Sequence, residues 1–167
     1  DLREMEAMVT EALSALRGLD SPAASQPVDL MALLQSLQAD QQEMGREVHL
    51  SGQTGAPLSG DPARLRRALG NLVDNAVLYG QRAHIRVSDT PQAVTVQVRD
   101  EGPGIAPELQ ERVFDPFYRV EASRNRSTGG TGLGLGLARN IARAAGGDLT
   151  LRNHPEGGLE ASLVLPR

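Results

Sequence analysis

Three short stretches of this chain carry residues whose types and spacing could do chemistry, and the chemistry they share is the holding of a phosphate-bearing purine. The run Gly129-Gly130-Thr131-Gly132-Leu133-Gly134-Leu135-Gly136-Leu137-Ala138-Arg139 is a glycine ladder that opens into an amphipathic helix. Glycines let a backbone approach a ligand closely, and the helix behind them turns unpaired N–H groups and the positive end of its dipole toward the loop. Phosphate binds well at such a place. Asn71 and Asn75, at i and i+4, share one side of an expected helix beside its apolar stripe. A buried amide costs free energy unless it is hydrogen-bonded, and an amide oxygen is a hard, neutral ligand for Mg²⁺ that already carries phosphate oxygens. The third stretch, Asp100-Glu101-Gly102-Pro103-Gly104-Ile105, follows the alternating run Val94–Arg99. A carboxylate at a strand end, next to a turn that clears space for a flat ring, accepts a hydrogen bond from the exocyclic amine of adenine and repels the oxygen of guanine.

Taken singly, each stretch has a plainer reading: a linker before a helix, two surface asparagines, a tight turn after an aspartate. Composition narrows the alternatives. All 17 basic residues are Arg, so a Walker A loop, which needs Gly-Lys-Ser/Thr, is excluded. The glycines at 130, 132, 134 and 136 also miss the Gly-x-Gly-x-x-Gly spacing of a dinucleotide site. With no Cys there are no disulfides and no thiolate metal site. A net charge of −4 argues against nucleic acid as the main partner. No apolar run approaches membrane-spanning length and no signal peptide is visible. At 167 residues and 40% apolar, the chain can bury one core without staples.

The elements that must hold these residues follow from periodicity. Asp61 is a good N-cap, Pro62 suits the first helical position and Gly80 a C-terminal stop, so 61–80 is expected to be a helix packed by Leu65, Leu69, Leu72, Val73 and Ala76. Another helix is expected from about Asp29 to Met44, with Leu30, Leu33, Leu34 and Leu37 inward, followed by a strand at Glu47–Ser51. Hairpin strands Ala83–Ser88 and Ala93–Arg99 come next, then a short helix near Pro107–Val113. The knot Val113-Phe114-Asp115-Pro116-Phe117-Tyr118-Arg119 gathers at least half of the aromatic residues at one bend, which is therefore expected to be anchored. A loop over about Tyr118–Thr131 leads to the glycine-capped helix, which ends near Ala145, and strands Asp148–Arg152 and Leu159–Leu165 finish the sheet. The expected fold class is α/β (α+β), a two-layer sandwich of a mixed β-sheet with helices on one face, preceded by a helical stub. In that stub, residues 1–19, Leu2, Met5, Val9, Ala12, Leu16 and Leu19 recur at spacings of three and four, the a/d seam of a coiled coil, widened by Met8 and Leu13. Residues 20–27, with Ser21-Pro22-Ala23-Ala24-Ser25-Gln26-Pro27, form a linker, and 28–167 the domain.

The segments 61–80, 100–105, 113–119 and 129–139, in this order and spacing, resemble the N, G1, F and G2 boxes of the ATP-binding domain of sensor histidine kinases. The wider superfamily holds DNA gyrase B, MutL and the heat-shock chaperones, and its fold is often named after Bergerat. The resemblance implies ATP and Mg²⁺ as cofactors. By it, Asn75 is the Mg²⁺ ligand, Asn71 lies close to the phosphates and Asp100 reads adenine. Gly102, Gly104 and Ile105 lie under the base and Tyr79 beside the nucleotide. Gly130, Thr131, Gly132, Leu133, Gly134 and Leu135 belong to the loop that covers the triphosphate, and Arg119 and Arg124 to a lid whose basic residues meet the phosphates. One departure is Leu78, where many members carry Lys or Arg, so the lid arginines have more charge to neutralise.

Hydrolytic members of the superfamily place a Glu four residues before the Mg²⁺ asparagine as general base; here that position is Asn71, which cannot take a proton. Transfer to another acceptor is the better expectation. In a histidine kinase the acceptor is a His followed by an acidic residue on a preceding helix, and His49, His84 and His154 do not fit it. The resemblance therefore puts the acceptor outside this chain, which itself contributes no catalytic nucleophile, and makes the stub the end of the second helix of a dimerisation and phosphotransfer hairpin. An amphipathic helix folding back on its own domain competes with that, since two to three heptads are short for a stable dimer. The partners implied are the acceptor His, a response regulator and, at full length, a second copy, in the cytoplasmic part of a membrane sensor. A degenerate module that senses ATP without transfer, which Leu78 favours, and a serine kinase of the anti-sigma type are the alternatives.

Overall fold

The computed structural model describes residues 1–20, 24–118 and 134–167, and within the first helix the side chains of 1–10 and 13. That helix, α1 (Leu2–Asp20), presents Leu2, Met5, Val9 and Leu13 to solvent, while the side chains of Ala12, Leu16 and Leu19 lie outside the described residues.

Helix α2 (Leu30–Glu43) starts where Asp29 accepts a hydrogen bond from the Ala32 N–H at 3.1 Å, and it buries Leu30, Leu34 and Leu37 on one face. Helix α3 (Pro62–Gly80) is capped by Asp61, whose Oδ1 accepts from Ala63 and Arg64 and whose Oδ2 accepts from Ala24. These bonds, with the neighbouring Arg64 guanidinium, outweigh the desolvation that opposes them and hold the Asp61 carboxyl below its ordinary range. The expected stripe is buried entire, with Ala68 added.

The main sheet runs in the order β2 (Glu47–Gly52), β4 (Arg82–Asp89), β5 (Ala93–Arg99), β7 (Leu159–Pro166), β6 (Asp148–Asn153). β2 is parallel to β4 and every other pair is antiparallel, so the sheet is mixed. Alternation sends Ala83, Ile85 and Val87, Val94, Val96 and Val98, and Ala161, Leu163 and Leu165 to one buried face. There α2, α3 and α4 (Gly134–Ala144) cover them, α4 contributing Leu137, Ala138, Ile141 and Ala142. The opposite face is polar; His49 and His84, paired in register, stack there with centroids 5.1 Å apart. The strand placement of both is as expected, and His154 follows β6 in a turn.

The structure departs from the sequence expectations at two places. Gln26 and Pro27, expected in a linker, begin β1 (Gln26–Val28), which pairs antiparallel with β3 (Leu58–Gly60), and the Ser25–Ser59 hydroxyl bond and the Ala24 N–H bond to Asp61 extend the pairing toward α3. The helix expected near 107–113 is two 3₁₀ turns, Pro107–Leu109 and Arg112–Phe114. α3 stops at Gly80 as expected, but the left-handed residue that follows the helix is Gln81, φ 71°, and not the glycine. No helix among the described residues is long and apolar enough to cross a membrane.

Candidate functional site

β5 ends on Asp100, which is only 5% exposed. Its N–H donates to the Leu159 carbonyl at 2.9 Å, and its Oδ1 accepts from the N–H groups of Leu159 and Gly102, each at 2.9 Å. Oδ2 has no hydrogen bond among the described residues. Burial pushes the carboxyl above its ordinary range, and the hydrogen bonds from Leu159 and Gly102 oppose that shift. A carboxylate held by one oxygen and open at the other can accept a hydrogen bond from a ligand without moving.

The end of α3 lies directly on this carboxylate. A Cβ on Gly80 would stand 2.5 Å from Asp100 Cγ and 2.8 Å from Oδ1, and the Gly80 carbonyl accepts from the Glu101 N–H. The glycine is therefore required by close approach rather than by a turn, a role its position at a helix end concealed. Gly80→Ala is expected to cost about 1–3 kcal/mol of stability by overpacking. Urea unfolding measures it, and an unchanged midpoint would count against the contact.

On α3, the Asn71 Nδ2 donates to the Gly134 carbonyl at 3.2 Å, tying the helix to the first turn of α4. Asn75, one turn on, is half-buried with no side-chain hydrogen bond among the described residues. Tyr79 is 38% exposed at the end of the same helix, and its carbonyl lies against Gly102. Leu135 packs against the core rather than standing clear of it, and Leu78 is half-buried. The structure thus joins Asn71 to Gly134 and Asp100 to Gly102 by direct contact, and α3, which carries Asn71, Asn75 and Tyr79, runs from the first pair to the second. Gly104 and Ile105 close the loop after Asp100 through contacts with Asn153. Arg119, Arg124, Gly130, Thr131, Gly132 and Leu133 lie outside the described residues.

The aromatic bend is anchored, and by a cation. The Arg139 guanidinium, on α4, lies 4.1 Å over the Phe114 ring and pairs with Glu111 at 2.8 Å and Asp148 at 3.4 Å. Its hydrogen bond to Glu111 raises the guanidinium pKa further and holds the Glu111 carboxyl below its ordinary range. Arg139→Ala is expected to loosen the bend from α4, read as faster amide exchange at Phe114 with most of the core unchanged. Equal exchange in both proteins would mean the bend is held otherwise.

No group of three or more His, Cys, Asp or Glu among the described residues could hold a metal by itself. Asn75 offers one amide oxygen, which suits an ion that shares its remaining positions with phosphates and water. Neither Asn153 nor Leu159 was singled out from sequence; an asparagine at the end of an alternating run, able to bond across to a loop, was the available signal.

A family model described as "Histidine kinase-, DNA gyrase B-, and HSP90-like ATPase" matches residues 60–167. The sensor histidine kinase GtrS of Pseudomonas aeruginosa is 42% identical over 167 residues, covering 100% of this chain and 34% of that protein. The sensor histidine kinase CpxA of Escherichia coli K12 is 35% identical over 127 residues, covering 75% of this chain and 28% of that protein. The chain thus spans about a third of the length of such relatives. Among solved structures, full-length ShkA in complex with AMPPNP superposes with a TM-score of 0.78 at 26% identity, over 96% of this chain and 35% of that one. The mycobacterial sensor histidine kinase MprB gives 0.72 at 27%, over 86% and 97%.

Proposed function

Because this chain belongs to the histidine kinase-, DNA gyrase B-, and HSP90-like ATPase family, we propose that it is the ATP-binding kinase domain of a two-component sensor histidine kinase. It presents the γ-phosphate of ATP to a His outside this chain, for later transfer to an Asp of a response regulator. The observation that carries this is Asp100: buried, tied through Oδ1 to Leu159 and Gly102, and open at Oδ2 beside the end of α3.

Asp100 Oδ2 accepts from the adenine amine, and Gly102 keeps the floor beneath the base clear. Asn71, bonded to the Gly134 carbonyl, holds the start of α4 so that its N-terminal N–H groups face the phosphates. Asn75, with its amide unspent, is the metal ligand. Mg²⁺, when bound, neutralises phosphate charge. Asn71 supplies no general base for water, so the chain positions and stabilises rather than hydrolyses. The exposed Leu2, Met5, Val9 and Leu13 support α1 as the end of a hairpin helix that pairs in the longer protein, a dimer in the cytoplasmic part of a membrane sensor.

Two measurements test this. ATP is expected to bind at least tenfold more tightly than GTP in the presence of Mg²⁺, and equal affinities would refute adenine reading. With radiolabelled ATP, acid-labile label is expected on a longer chain extended upstream through the hairpin and not on residues 1–167 alone. Label on neither chain favours an ATP-sensing module without transfer, the alternative that Leu78 supports. Label on residues 1–167 means the acceptor lies within them.

A further inference from the structure

We propose that Asn153 is a positioning residue that sets the geometry of the base-binding loop and so the discrimination between adenine and guanine, an inference that rests on the ATP-binding reading above. Asn153 is the last residue of β6 and pairs with Leu159 of β7. Its Oδ1 accepts from the Ile105 N–H at 2.9 Å and its Nδ2 donates to the Ile105 carbonyl at 2.8 Å. The side-chain amide thus imitates a strand peptide, engaging both backbone groups of one loop residue. Gln110 adds a second donor to the same carbonyl at 3.1 Å.

At the other end of the loop, Asp100 exchanges hydrogen bonds with Leu159, main chain to main chain one way and Leu159 N–H to Oδ1 the other. Both ends of the segment Asp100–Ile105 are therefore tied to one cross-strand pair, Asn153 and Leu159. The position of Asp100 Oδ2 relative to the Gly102–Gly104 floor is set by that pair. Gly104 has φ +75°, and a Cβ there would overlap Asn153 Oδ1, so the amide lies flat against the loop. Asn153 is exposed, as a residue with no core role would be. At such a position an amide would stay with water unless the loop offered it well-aligned partners. What the clamp restrains is a loop of two glycines and a proline, whose relaxed ensemble would let a guanine in by shifting Oδ2.

The test compares Asn153→Ala, Asn153→Ser and Asn153→Asp with the parent chain by competition of ATP and GTP against a fluorescent ATP analogue with Mg²⁺ present. Ser keeps one contact; Asp keeps the acceptor for the Ile105 N–H but sets a carboxylate oxygen against the Ile105 carbonyl. Expected are about tenfold weaker ATP binding in the Ala and Asp variants, a smaller loss in the Ser variant, and little change for GTP. The ATP-to-GTP ratio should therefore fall severalfold, which a merely structural loss would not produce, and the Ile105 amide should exchange faster. ATP affinity unchanged, or ATP and GTP weakened alike, overturns the inference while leaving the ATP-binding reading in place. A parent chain that binds no ATP overturns the function reading, and this inference with it.

Discussion

Asp100→Ala is expected to weaken ATP binding ten- to hundredfold, because a buried charged hydrogen bond to the adenine amine is worth ~1.5–3 kcal/mol. Asp100→Asn separates binding from folding. Its amide oxygen can still accept from Leu159 and Gly102, but an NH₂ in place of Oδ2 faces the adenine amine donor to donor. ATP binding should fall as far as in the Ala variant while the fold persists. Burial raises the Asp100 carboxyl above its ordinary unfolded-state value, so the folded chain holds that proton more tightly than the unfolded one. Its contribution to stability is present below that value and is lost as pH rises through the folded pKa; at neutral pH the ionised group costs the fold. The Asn variant is therefore expected to be more stable than the parent at pH 7, with the difference closing as the solution is acidified. Urea unfolding at both ends of that range measures it, and a difference that does not change with pH would refute the assignment of burial as the cause.

Asn75→Ala is expected to abolish the Mg²⁺ dependence of ATP binding with little effect on the fold. The side chain has no hydrogen bond among the described residues, so its removal leaves no buried partner unsatisfied. The Asn71 amide is tied through its Nδ2 to the Gly134 carbonyl, whereas the Asn75 amide has no such tie among the described residues and is free to turn its oxygen to the ion. ATP titrations with Mg²⁺ and with EDTA should differ for the parent chain and coincide for the variant. A variant that still binds more tightly with Mg²⁺ would move the ligand elsewhere, Asn71 being the first place to look.

The elements themselves were legible because their signals are local. Asp61 with Pro62 marks the start of α3, and the stripe from Leu65 to Ala76 marks its inner face; both are short-range patterns of capping and periodicity. Alternation in Val94–Arg99 likewise gives the strand and which side of it is buried. Gly80 shows where such reasoning stops. A glycine at the end of an apolar stripe reads as a stop, and the helix does end there, yet what requires a glycine is a carboxylate twenty residues away in sequence and in contact in space. The bend at Phe114 was legible as anchored; that its anchor is Arg139 was not, since nothing local links the two.

By itself the sequence determined the kinds of element, their caps and inner faces, and the ordered set of Asn, Asp and Gly motifs that an ATP site needs. Tertiary structure decided which atoms meet: Asn71 with Gly134 across 63 residues, Asp100 with Leu159 across 59, and Ile105 with Asn153 across 48. It also decided the strand order β2-β4-β5-β7-β6, which puts the end of β5 next to β7 and leaves β6 free to reach the loop beyond it. Periodicity encodes only the side on which a residue lies. Which of Asp100's oxygens is tied and which left open depends on the neighbour that packing delivers, and that neighbour is chosen by the burial of the whole core at once.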